Sequence, residues 1–91
     1  GTAADLRTKN GKMWKQGITK VADNLEKSAT KRGWTITLTQ AGKKTIRKGN
    51  QLWTKFANKD GDIMLIELVE GTRPHVHIHL GENKLEPEGW K

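Results

Sequence analysis

The sequence predicts an α+β domain, in which one N-terminal helix packs on an antiparallel sheet of four to five strands. Three observations predict it. Apolar residues recur at helical spacing over residues 12–31, the period changes to strict alternation after Gly33, and short β-rich runs separated by glycine and asparagine turns then continue to Leu80. Helix first and strands after is the pattern of an α+β architecture rather than of βαβ units. At 91 residues the chain can build one modest core and not two.

Residues 1–11 are polar and contain the turn signal Asn10-Gly11, so they read as a linker or a frayed segment, leaving 12–91 as the single domain. From Lys12 to Lys31, Trp14, Ile18, Val21, Ala22, Leu25 and Ala29 form one apolar helical stripe. Gly17 weakens its first half, and Gly33 is placed to end it in a left-handed C-terminal cap. Lys15, Lys20, Lys27 and Lys31 occupy the opposite, solvated face.

In Trp34-Thr35-Ile36-Thr37-Leu38-Thr39 large apolar residues alternate with threonines, as a half-buried strand requires. Gly42 turns the chain into the basic run Lys43-Lys44-Thr45-Ile46-Arg47-Lys48, and Gly49-Asn50 turns it again. Leu52 to Ala57 is the next strand, with Asn58-Lys59-Asp60-Gly61 as a hairpin connection. Ile63 to Val69 is apolar at consecutive positions apart from Glu67, the composition of a central strand covered on both faces. Gly71-Thr72-Arg73-Pro74 leads into the last strand, and the expected strand order is strictly sequential. The sheet face away from the helix is expected to carry threonines, lysines and histidines toward solvent. Trp14, Trp34 and Trp53 read as core residues rather than base-stacking platforms, and Trp90 as a tail residue that docks back.

The last strand carries the clearest candidate for chemistry. His75, His77 and His79, the only histidines, alternate with Val76, Ile78 and Leu80 and so share one face. Charge says what that face would serve. The chain has 17 Lys+Arg against 10 Asp+Glu, a net +7, which points to a polyanionic partner, with nucleic acid ahead of a membrane surface. Residues 1–60 hold 14 Lys/Arg and 4 Asp/Glu, whereas residues 61–91 hold 3 and 6, so the basic part precedes the histidine strand. There is no cysteine, which excludes a disulfide framework and a thiolate zinc site. No apolar stretch reaches membrane-spanning length and no signal-type core begins the chain. A start at Gly1 reads as a module cut from a larger protein.

Two histidines can serve as general base and general acid in one cycle near neutral pH, and metal-independent RNA cleavage needs that pair. Neighbouring histidines on the strand lie roughly 7 Å apart at Cα, close enough to flank one phosphate, which His75 and His79 are not. Arg73, Lys43, Lys44, Arg47 and Lys48 are candidate phosphate binders, and Thr37 with its neighbouring threonines a candidate hydrogen-bond donor to phosphate.

Three other readings compete. One is a metal site at His75, His77 and Glu67, which depends on register. If Glu70 pairs with His75, Glu67 falls on the opposite face, and if Val69 pairs with His75, Glu67 lies opposite His77. The second is a non-catalytic RNA-binding module using lysines for backbone and tryptophans for bases. The third is that the histidines are surface residues of an edge strand without chemistry.

In the helix Lys12–Lys31, the strand Trp34–Thr39, the basic run Lys43–Lys48, and Arg73 with the final histidines, the chain resembles the C-terminal ribonuclease toxin domains of contact-dependent inhibition and other polymorphic toxin systems. Many of these resemble one another in the barnase, EndoU, colicin and RelE-like fold. The resemblance covers most of residues 12–81 in element order, size and charge, and includes no subfamily signature. It implies a metal-free endoribonuclease without a cofactor, leaving a 2′,3′-cyclic phosphate, with tRNA as the implied target. It also implies delivery by a secreted or surface-displayed protein into the cytoplasm of a target cell, an acidic cognate immunity protein and, as in some such toxins, a host translation factor.

Overall fold

In the computed structural model, which describes residues 2–7, 16–81 and 86–90, the chain runs β1 (Thr2–Arg7), α1 (Ile18–Lys31), β2 (Thr35–Thr37), β3 (Thr45–Lys48), β4 (Gln51–Ala57), β5 (Ile63–Val69) and β6 (His75–Leu80). The helix packed on an antiparallel sheet is the predicted α+β architecture. The sheet has six strands, one more than expected, because Thr2–Arg7 pairs antiparallel with β6 instead of remaining a linker. That strand left no mark in the sequence. Alanine and aspartate are weak strand formers, and its hydrogen bonds are dictated by the open edge of β6 rather than by local propensity.

The order across the sheet is β1-β6-β5-β4-β2, with β3 also on β4. The β4–β5–β6 meander follows the expected sequence order, but β2 and β3 do not pair with each other. Thr37 pairs with Lys55 and Thr45 with Thr54, so β2 and β3 lie end to end along one edge of β4 as a single line interrupted by residues 38–44. Within that excursion the Thr39 amide donates to the Lys43 carbonyl (2.7 Å) and the Lys43 amide to Thr39 Oγ1 (2.9 Å), which closes it as a tight loop. Since the strand stops at Thr37, Leu38 does not reach the core face and is 51% exposed.

Helix α1 starts at Ile18 rather than Lys12, because Gly17 has φ 92° and cannot belong to it. Trp14 and Lys15 lie outside the described residues. The C-terminus is the glycine cap the sequence predicts. Gly33 (φ 91°) donates its amide to the Thr30 carbonyl and Trp34 donates to the Ala29 carbonyl, the paired bonds of a Schellman motif. Ile18, Val21, Ala22 and Ala29 face the sheet and meet Leu52, Phe56, Met64, Ile66, Leu68 and Val76, with Leu25, Trp34, Ile36 and Ile78 at the margins. This is the main core.

The other face of the sheet is not the open polar platform expected from the sequence. Trp53, Leu65 and Trp90 form a second core there, flanked by Ile46. Strand alternation forces it: Leu52 and Phe56 point to the helix, so Trp53 between them points away, and Leu65 does likewise between Met64 and Ile66. Residues 86–90 supply the cover. Trp90 Nε1 donates to the Thr37 carbonyl (2.9 Å), the Gln40 amide donates to the Gly89 carbonyl (2.7 Å), and Lys55 Nζ meets Glu86 Oε1 at 2.7 Å. Gly89, at φ 123°, brings this segment down on Ile46, where a Cβ would lie 2.8 Å from Cδ1.

A Cβ added at Gly33 meets nothing within 4 Å, so the cost of a side chain there is that of the left-handed backbone alone. Gly33→Ala is expected to lower stability by about 1–2 kcal/mol, read as a lower denaturant midpoint at unchanged m-value. Trp90→Ala removes most of the cover over Trp53 and Leu65 and is expected to cost roughly 3 kcal/mol, with a change in tryptophan fluorescence before global unfolding.

Candidate active surface on strand β6

Register decides what stands beside the histidines. Val69 pairs with His75, Glu67 with His77 and Leu65 with His79, the second of the two registers the sequence leaves open. On the other side of β6, Arg7, Asp5 and Ala3 hold the positions opposite the same three histidines. Strand β6 is therefore flanked on both sides, not an edge strand. Directly paired residues share a face, so the histidines lie on the face of the second core, away from the helix.

The imidazoles form a continuous column with Trp53. Trp53 and His79 are stacked at 5.6 Å between ring centroids, His79 and His77 at 6.0 Å, and His77 meets His75 edge to face at 4.6 Å. These spacings fall in the range of favourable aromatic pairs. The column grades from buried to accessible, since His79 is 9% exposed whereas His75 and His77 are half-buried.

Each end of the histidine row is tied by a hydrogen bond that settles a tautomer. His75 Nδ1 lies 2.8 Å from the Arg73 carbonyl oxygen. A carbonyl can only accept, so Nδ1 carries the hydrogen and the neutral ring keeps its lone pair on Nε2. His79 Nε2 lies 3.1 Å from Glu67 Oε1, and by the same argument it donates to the carboxylate. Glu67 is the one charged residue among the buried positions of β5 and is 7% exposed. It reaches diagonally to His79 rather than to His77, its direct register partner. Among the described residues, no three His, Asp or Glu side chains converge in a group able to hold a metal ion.

The predicted phosphate binders are mostly elsewhere. Arg73 is exposed in the β5–β6 turn, joined to His75 through its carbonyl. Lys44 pairs with Glu26 on the helix (3.1 Å), and Arg47 pairs with Glu70 (2.9 Å) from a position in register with Leu52 on the helix side of the sheet. Lys43 is exposed in the 38–44 excursion. Lys48 and Thr37 do share the histidine face. Lys48 lies in line with Gln51, Val69 and His75, and Thr37 in line with Lys55, Leu65 and His79. Both are three strand steps away, about 14 Å at the usual spacing. The run 43–48 is remote because it belongs to the edge of the sheet across β4 and β5 from β6.

Two contributions were not read from the sequence. Lys55 lies on the histidine face and is joined to Glu86, which places the tail beside the buried end of the column. The Glu67–His79 pair is the other. Its signal was present, a single carboxylate in the apolar run Ile63–Val69, but its partner depends on side-chain direction rather than on register.

No family model matches the chain, and neither a curated protein nor a solved structure matches it. Among the described residues no helix is long and apolar enough to cross a membrane.

Removing one member of a buried hydrogen-bonded pair leaves the other unsatisfied. His79→Ala is therefore expected to cost about 2 kcal/mol, against about 0.5 kcal/mol for the accessible His75→Ala, compared by urea denaturation of the two variants.

Proposed function

We propose that the chain is an endoribonuclease that cleaves RNA by histidine acid–base catalysis, with His75 and His77 as the proton-transfer pair. The observation that supports this most is the accessible end of the column: two imidazoles 4.6 Å apart on one strand face, with the His75 lone pair assigned to Nε2, in a chain of net charge +7. His75 Nε2 takes the proton of the 2′-hydroxyl, and the oxygen attacks the adjacent phosphorus. His77, protonated, gives its proton to the departing 5′-oxygen. The products are a 2′,3′-cyclic phosphate and a 5′-hydroxyl, and the two histidines end with their protonation states exchanged. Arg73, two residues before His75, is the cation nearest in sequence to the pair and would neutralise the non-bridging oxygens. His79 is too buried to meet substrate and is assigned no proton transfer.

Lys48 and Thr37, on the same face, are proposed to hold flanking phosphates, while Lys43, Lys44 and Arg47 contribute to the general positive field rather than to the cleaved phosphate. Size, basic charge and element order also support the wider reading: an antibacterial toxin module of a larger secreted or surface-displayed protein, acting on tRNA in a target cell and restrained by an acidic immunity protein.

The test is incubation of the purified protein with total bacterial RNA, with and without EDTA, beside His77→Ala. Discrete cleavage that survives EDTA, leaves 2′,3′-cyclic phosphate ends and falls at least a hundredfold in the variant is the expected result. Loss of cleavage with EDTA would replace this mechanism with a metal-dependent one. RNA bound but left intact, both in buffer and in cell extract, would make the protein a binding module.

A further inference from the structure

Glu67 has no role in the proton transfers assigned above, yet it occupies a central strand between Ile66 and Leu68, with its carboxylate directed at one imidazole. Burying a carboxylate on a doubly covered strand is unfavourable, and a well-packed apolar residue would serve stability at least as well. What the side-chain oxygen does here is hold a ring. Glu67 accepts from His79 Nε2 and fixes the plane of that imidazole, which stacks with both Trp53 and His77. The His77 ring thus stacks against a ring that is itself held by a carboxylate and an indole.

From this geometry we infer that Glu67 and His79 are a positioning pair, which holds the His77 imidazole in the orientation required for proton transfer without touching substrate. The inference rests on the ribonuclease reading for its kinetic consequence, but the arrangement of the rings is testable without it. Because the role is geometric, a residue that still accepts from His79 Nε2 should replace Glu67. The side-chain oxygen of Gln can do so, and Ala cannot.

The experiment compares Glu67→Gln, Glu67→Ala and His79→Phe, each shown to be folded by circular dichroism, in two measurements. One is imidazole NMR on protein labelled in its three histidines. The other is cleavage of a fluorescent RNA oligonucleotide. Glu67→Ala is expected to lose the slowly exchanging His79 Nε2–H resonance, to move the ring protons of His77, and to lower kcat about a hundredfold, as a misplaced catalytic group does, with KM within about twofold. Glu67→Gln should restore the resonance and most of kcat. His79→Phe keeps a ring for His77 to stack on and should lose less than Glu67→Ala. Unchanged His77 resonances and unchanged kcat in folded Glu67→Ala would overturn the inference. If wild type cleaves no RNA, the ribonuclease reading fails by itself and the NMR arm decides alone. Movement of His77 on loss of Glu67 then supports the positioning pair, and its absence refutes it.

Discussion

Burial of strand β5 on both faces is the constraint on which the rest of the molecule depends. Met64, Ile66 and Leu68 require cover on one side and Leu65 and Glu67 on the other, so one helix is not enough. The helix closes the first face through Ile18, Val21, Ala22 and Ala29. The second is closed by Trp53 from the sheet itself and by Trp90 from the C-terminal segment. A small chain without disulfides thus obtains two apolar layers from one sheet, at the cost of making residues 86–90 part of the fold.

That arrangement also creates the gradient along the histidine row. His79 lies under the margin of the second core, and its ring is buried there with the Glu67 carboxylate. Two residues along the strand the cover ends, and His77 and His75 meet solvent. Three chemically identical side chains, equally spaced in sequence, therefore occupy three different environments: a buried ring hydrogen-bonded to a carboxylate, a stacked intermediate ring, and a ring tied to a backbone carbonyl.

Charge is distributed differently from the histidines. Lys44 and Arg47 are engaged with Glu26 and Glu70, exposed pairs worth little to stability. They tie the broken β2/β3 edge to the helix and to the β5–β6 turn. Among the described residues, these two cations of the basic run are thus engaged away from the accessible imidazoles. Arg73, in the turn before β6, is held beside His75 through its backbone carbonyl.

Much of this was legible in the sequence alone. The apolar stripe from Ile18, the Gly33 stop, the alternation after it, the Asn58–Gly61 hairpin and the doubly covered β5 are local patterns, and local physics suffices to specify them. The common face of His75, His77 and His79 belongs to the same class, since strand geometry dictates it. What only the tertiary structure decided involves partners distant in sequence. Which residues stand opposite the histidines is a matter of register, and one step of slip would have sent Glu67 to the other face. The strand Thr2–Arg7 exists because β6 offers it an edge, Trp53 and Leu65 are covered because Trp90 crosses to the Thr37 carbonyl, and the basic run is far from the histidines because β4 and β5 lie between them. Periodicity states which face a side chain takes, and only the packed chain states what meets it there.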